Sequence, residues 1–209
     1  MRHTKIAAVV LTAALLLALA VGLAACGSSE SDGDGDATPS AEAATTTYHN
    51  DEYGFSITYP SDYKEAPVEF SSSTANGPVF DIGFGDPEGT IIDDMALDGL
   101  QISVYELSKK VPPESVPDLE KDFQNLVDSL MPGLEDGKIL DPLGPVELNG
   151  VPGFGFSYTY KQGDTEIRAT TFFLVKGQYQ YVVTAQASMD RWDEVSPELE
   201  AAAMSFMVD

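Results

Sequence analysis

The chain has 209 residues and carries 11 Lys and Arg against 34 Asp and Glu, a net charge of −23. So acidic a chain lacks the clustered bases that hold nucleic-acid phosphates, while 43% apolar and 10% aromatic residues exclude a wholly disordered polymer. A single cysteine excludes an internal disulfide framework and any multi-cysteine zinc or iron–sulfur centre.

Arg2, His3 and Lys5 form a short basic start, and Ile6 to Ala25 follows without a charge. At 1.5 Å per residue that run makes about 30 Å of helix, enough for a signal peptide or for an uncleaved anchor. Its end separates the two. Leu23-Ala24-Ala25-Cys26 resembles the bacterial lipobox, placed after a basic start and an apolar run and using the sole cysteine. The resemblance implies that residues 1–25 are a lipoprotein signal peptide. It also implies that Cys26 becomes the first mature residue, carrying a diacylglyceryl thioether and often an amide-linked chain such as palmitate. One acyl chain holds a membrane only marginally, whereas several make a stable anchor. The expected location is the extracytoplasmic side of the cell membrane.

Residues 26–47 read as the lipidated cysteine and an acidic tether. Gly27 to Thr47 has no aromatic or large aliphatic residue and so cannot nucleate a core. Asp32-Gly33-Asp34-Gly35-Asp36 looks like the start of a calcium loop, but Ala37 and Ala43 stand where an EF-hand needs glycine and glutamate. We read it as a solvated spacer.

Tyr48 to Asp209 is of single-domain size and holds 29 acids and nine bases. Phe55, Ile57 and Tyr59 alternate with polar residues up to Pro60, a half-buried strand. Phe80–Phe84 and Leu100–Val104 alternate likewise. A helix is expected where Leu119, Phe123, Leu126, Val127 and Leu130 form one stripe, with Ser115 and Asp118 as a capping box and Pro132-Gly133 as its end. Weaker strands are expected near Val68–Ser71 and Ile139–Leu148. Phe154, Phe156, Tyr158 and Tyr160 share one face of a strand. Ile167–Val175 and Tyr179–Ala185 follow, joined by Gln162-Gly163-Asp164 and Lys176-Gly177, which read as hairpin turns of an antiparallel meander. A second helix is expected after Ser196-Pro197, with Trp192 just before it and Leu199, Ala202, Ala203, Phe206 and Met207 as its stripe. The expected fold class is α+β: an antiparallel sheet of about six to eight strands with flanking helices, a sandwich.

Tyr53-Gly54-Phe55-Ser56-Ile57-Thr58-Tyr59-Pro60 resembles the opening strand of PsbP-like domains. The ending, a meander followed by a tryptophan region and a helix closing on Ser205-Phe206, is similar too. The resemblance covers residues 48–209 in the order of elements, and its specific residues cluster at the two ends. It implies a PsbP-like sandwich and a non-catalytic accessory or binding role. It transfers no catalytic set and no cofactor.

The residues themselves agree with that expectation. His49 is the only histidine of the mature chain, and at the edge of the domain it reads as a solvated residue rather than a catalytic imidazole. Carboxylate pairs abound, which is why none can be singled out for acid–base work. Gly83-Phe84-Gly85 and Gly153-Phe154-Gly155 lack the rest of a nucleotide loop and read as strand glycines. No enzymatic activity, metal centre or nucleic-acid binding is expected.

Two features keep alternatives open. Asp86–Gly99 interleaves five acids with Ile91, Ile92, Met95 and Leu97. It reads as a short helix with Ile91, Ile92 and Met95 packed down and solvated acids outside, or as a lid or partner loop (Ile91, Ile92, Asp93, Asp94, Met95) able to hold divalent cations weakly. The aromatic face Phe154–Tyr160, with Tyr179 and Tyr181 on the next strand but one, reads as core or as the lining of an apolar cleft. The expected function is accordingly a membrane-anchored accessory or binding module with an unidentified protein or apolar partner. A carrier of an apolar or lipid ligand, or a carboxylate-dependent hydrolase, are the alternatives.

Overall fold

A computed structural model of the chain describes residues 44–66, 77–92 and 95–209. Leu23–Cys26, most of the tether, the strand expected near Val68–Ser71, and Asp93 and Asp94 lie outside the described residues. Among the described residues no helix is long and apolar enough to cross a membrane.

The chain opens with β1 (Thr45–Asn50) and β2 (Phe55–Pro60), an antiparallel pair in which Tyr48 faces Ile57. The ladder begins at Thr45, three residues ahead of Tyr48, on a run of β-branched threonines. β3 (Lys64–Ala66), β4 (Phe80–Gly85) and the 13-residue β7 (Gly99–Val111) follow, with a two-stranded hairpin of β5 (Ile91–Ile92) and β6 (Met95–Ala96) before β7. After helix α1 (Glu120–Leu130) come β8 (Glu135–Leu148), β9 (Val151–Gln162) and the 24-residue β10 (Thr165–Ser188). Helix α2 (Met189–Met204) and the short β11 (Met207–Val208) close the chain. β3-β4-β7-β10-β9-β8 form a six-stranded antiparallel sheet, and β1-β2-β11 a three-stranded one. This is the α+β antiparallel sandwich expected.

Several local expectations are corrected. Lys176-Gly177 is not a hairpin turn. β10 runs through it as one strand, pairing with β9 up to Leu174 and with β7 from Gly177, with a register shift between Gly177 and Tyr179. Gly177 has φ +62°, a left-handed conformation open to glycine at little cost. The irregularity inverts the facing of the strand. Phe173 and Val175 belong to one core, while Leu174 and then Tyr181, Val183 and Ala185 belong to the other. Tyr181 and Tyr179 therefore do not share the face of Phe154, Phe156, Tyr158 and Tyr160.

Helix α1 starts at Glu120, behind a 3-10 segment Pro113–Leu119, and no side chain caps it. Pro113 and Pro117 each lack an N–H, so the segment closes as tight turns rather than as the expected capping box. Helix α2 starts at Met189, well before Ser196, and holds Trp192 and Pro197 inside it. Its buried stripe of Trp192, Val195, Leu199, Ala202 and Ala203 keeps helical spacing through the proline. Met207 is exposed and pairs with Ser56 as β11 instead of extending the helix. Asp86–Gly99 is no helix, since it contains the β5–β6 hairpin.

The first core lies between the large sheet, the small sheet and α2. Phe206 is its centre, with ring centroids 5.5 Å from Phe55 and 5.6 Å from Tyr181. The second core lies under α1, where Phe123 sits 5.2 Å from Phe154 and 5.3 Å from Phe173. The aromatic face of β9 is thus core. The chain end is pinned as well: Lys176 Nζ donates to the Val208 carbonyl at 2.7 Å, and the Asp209 N–H donates to Gly54 at 2.9 Å.

Phe206 has 0% exposure, and removing its ring opens a cavity between both sheets and α2. Phe206→Ala is expected to destabilise by about 3–5 kcal/mol, read as a lowered urea midpoint. An unchanged midpoint would contradict this packing.

Candidate functional site

The turn after β4 and the start of α2 meet around one buried carboxylate. Asp98 is 0% exposed. Its Oδ1 accepts the Ser188 N–H at 2.8 Å, and its Oδ2 accepts the Thr90 N–H and Arg191 Nη1, both at 2.8 Å. Arg191 Nη1 also donates to Asp86 Oδ2 at 2.9 Å, and Asp86 Oδ1 accepts the Glu88 N–H at 2.9 Å. Asp86, and after it Asp98, favour the charged guanidinium and push the Arg191 pKa up. A buried carboxylate needs this many donors to offset its lost hydration. Gly89 makes room for the cluster, because a Cβ there would meet Arg191 Nη1 at 2.7 Å and Asp98 Oδ2 at 2.8 Å.

Outside this cluster a cleft of about 350 Å³ is lined by Asp62, Tyr63, Asp86, Glu88, Arg191, Glu194, Val195 and Glu198. Arg191, Glu194, Val195 and Glu198 follow helical spacing, so α2 presents them on one face. Asp62 and Tyr63 come from the turn between β2 and β3, where the Tyr63 N–H donates to Pro60 at 3.1 Å. Burial, then Asp86, Glu198 and Asp62, push the Tyr63 phenol up. The lining carries five carboxylates against one guanidinium.

Of the loop residues expected to meet a partner, Ile91, Ile92 and Met95 are described, and none of them lines this cleft. Thr90 Oγ1 donates to Ser188 Oγ at 2.8 Å and ties the base of the β5–β6 hairpin to the entry of α2. Beyond that bond Ile91 is 50% and Met95 52% exposed, and Met189 on α2 is exposed too. Ile92 instead packs against the second core beside buried Leu97. The expected set thus divides, with Ile91 and Met95 outward and Ile92 inward. Among the described residues no group of three His, Cys, Asp or Glu side chains converges as a metal site. His49 is exposed on β1, and the strand glycines Gly83, Gly85, Gly153 and Gly155 lie in β4 and β9.

Asp98 and Arg191 are the residues that sequence reasoning missed. A signal existed: Arg191 is one of three arginines in the chain and stands in the run Asp190-Arg191-Trp192-Asp193-Glu194. A rare base among acids is a candidate for a committed ion pair. Its partners, about 100 positions earlier, carry no local mark.

A second polar cluster lies on the other face of the large sheet. Asp81 on β4 accepts from Ser103 Oγ at 3.0 Å and from Gln101 Nε2 at 3.2 Å. Burial pushes the Asp81 carboxyl up to about 7, opposed by these hydrogen bonds. Burial and then Asp81 push the neighbouring Tyr105 phenol up to about 12.

No family model matches the chain, and neither does any curated protein. Solved structures do. Cyanobacterial PsbP (CyanoP) from Synechocystis is similar at 19% identity with a TM-score of 0.55, over 84% of this chain and 98% of that one. LpqN, described as involved in cell envelope biogenesis of Mycobacterium tuberculosis, is similar at 11% identity with a TM-score of 0.52, over 80% of this chain and 92% of that one. At such identities the likeness shows the fold: the described domain has the PsbP-like architecture.

Two predictions follow from these clusters. Asp98→Ala leaves Arg191 half-paired and the Ser188 and Thr90 donors without their acceptor, and is expected to cost about 3–5 kcal/mol. Adding Arg191→Met should cost less than the sum of the two single changes, which a double-mutant cycle in urea measures. For Asp81, the folded chain holds a proton between roughly pH 4 and 7 that the unfolded chain releases. Its contribution is therefore full below pH ~4 and falls away as pH rises toward 7, by up to about 4 kcal/mol. Asp81→Asn should remove this slope, so that the gain of the variant over wild type grows from pH 4.5 to pH 7.5.

Proposed function

We propose that this chain is a bacterial envelope lipoprotein, anchored through Cys26 on the extracytoplasmic side of the cell membrane, whose PsbP-like domain is a non-catalytic accessory or binding module. The observation that carries the binding reading is the surface at the entry of α2. Exposed Ile91 and Met95 stand on the short β5–β6 pair, the Thr90–Ser188 bond ties that pair to the entry of α2, and α2 itself lines an acidic cleft. Carboxylates steer a partner in, and apolar side chains hold it once water is expelled. The Leu23-Ala24-Ala25-Cys26 motif, resembling a lipobox, supports the anchor. The involvement of LpqN in cell envelope biogenesis is in keeping with the location. A carrier of an apolar ligand would need open space over the aromatic face of β9, where Phe123 packs on Phe154.

Fractionation of cells expressing the full chain tests the anchor. Cys26→Ser should move the domain out of the membrane fraction or leave an unprocessed precursor. Processing of the Ser variant with retention in membranes would overturn the lipid anchor.

A further inference from the structure

Of the chain's six methionines, five lie among the described residues, and most of them stand where methionine seldom stands. Methionine is one of the residue types most often buried, yet Met204 is 53%, Met95 52%, Met207 49% and Met189 40% exposed. The fifth, Met131, is half-buried and packs against the second core. Its methyl group closes the space beside Gly137, where a Cβ would meet Met131 Cε at 3.0 Å. At the exposed positions the backbone is held by bonds in which the thioether takes no part. Met95 pairs with Ile92. Met189 follows Ser188, whose N–H donates to Asp98. The Met204 carbonyl accepts from Asn149 Nδ2 at 2.9 Å, and Met207 pairs with Ser56. Between those two, Ser205 Oγ accepts the Thr58 N–H at 2.8 Å and Phe206 fills the first core. Four sulfurs thus meet solvent while the structure rests on other atoms.

We propose that Met95, Met189, Met204 and Met207 are sites of reversible sulfoxidation by peroxides, and that the domain takes up these oxygens without unfolding. In each step a sulfur lone pair attacks one peroxide oxygen. The S–O bond forms as the O–O bond breaks, and the leaving hydroxide is protonated to water. The sulfur is oxidised by two electrons and the peroxide reduced by two. Exposure sets the order of reaction, because the peroxide has to reach the sulfur. It also sets the consequence. A sulfoxide is polar, so at an exposed position water solvates the new oxygen, whereas against a core that oxygen would be buried without a donor. Met131, packed on the second core beside Leu130 and Leu134, is where the same change would cost packing, and there the fold shields more of the side chain.

The test treats the full chain in detergent micelles with hydrogen peroxide, quenches with catalase and follows each methionine by peptide mass mapping. In the folded chain each of the four should gain one oxygen faster than Met131, by roughly threefold or more. In denaturing urea Met131 should react at their rate. The chain oxidised at the four positions should keep the near-ultraviolet circular dichroism and the urea midpoint of the untreated chain. Methionine sulfoxide reductases for both sulfoxide epimers, with a thiol reductant, should then remove the oxygens. The proposal is overturned if Met131 keeps pace with the four in the folded chain, or if it stays slow in urea, since the fold is then not what shields it. It is overturned equally if oxidation at the four positions lowers the midpoint, or if the reductases leave the oxygens in place.

Discussion

The architecture depends on how one 24-residue strand divides its side chains. β10 is too long to serve one core, and it pairs with β9 along its first half and β7 along its second. The left-handed residue Gly177 and the register shift after it let the strand change which side chains face which layer. The first half sends Ile167, Ala169, Phe173 and Val175 toward α1, and the second half sends Tyr181, Val183 and Ala185 toward α2. Both faces of the sheet are thereby filled. The small sheet and the chain end then have a surface to close on.

That closure positions the cluster at the entry of α2. β10 delivers Ser188 directly into the helix, and β7 begins at Gly99, one residue after Asp98. The pairing of the two strands brings Gly99 opposite Gln186, so Asp98 reaches the Ser188 N–H from the neighbouring strand. Arg191, one turn into α2, completes the arrangement. A carboxylate buried this deeply is tolerable because three donors converge on it. The same convergence holds the β4–β5 turn against the helix and forms one wall of the cleft. Exposed Ile91 and Met95 follow Thr90, which the Thr90–Ser188 bond holds to the same support.

Much of the fold was legible in the sequence because strands that bury one face write that fact in a period of two. Phe55–Tyr59, Phe80–Phe84, Leu100–Val104 and Phe154–Tyr160 all lie in strands where the alternation placed them. The stripe of α1 was equally plain, with Phe123 and Val127 buried. The Gly163 turn joins β9 to β10 as read, with Thr165 opposite Gln162. Asn149-Gly150, at φ 48° and 81°, turns β8 into β9 and is the kind of pair that marks a two-residue hairpin. The glycine at 177 misled because a bulge and a hairpin ask the same conformation of the residue.

The sequence by itself determined the acidic character, the basic start and uncharged apolar run that precede Cys26, the alternation of the strands and the class of fold. These rest on local chemistry: charge, hydrophobic period and turn propensity act between residues close along the chain. The tertiary structure alone decided that Lys176-Gly177 continues a strand, that α2 begins at Met189, and that Asp98 meets Arg191. Each depends on which segments come side by side after long loops close, and no period in the sequence records that. The Tyr63 hydroxyl is a further case, since a tyrosine looks alike in the sequence whether its buried oxygen is paired or, as here, has no hydrogen-bond partner among the described residues.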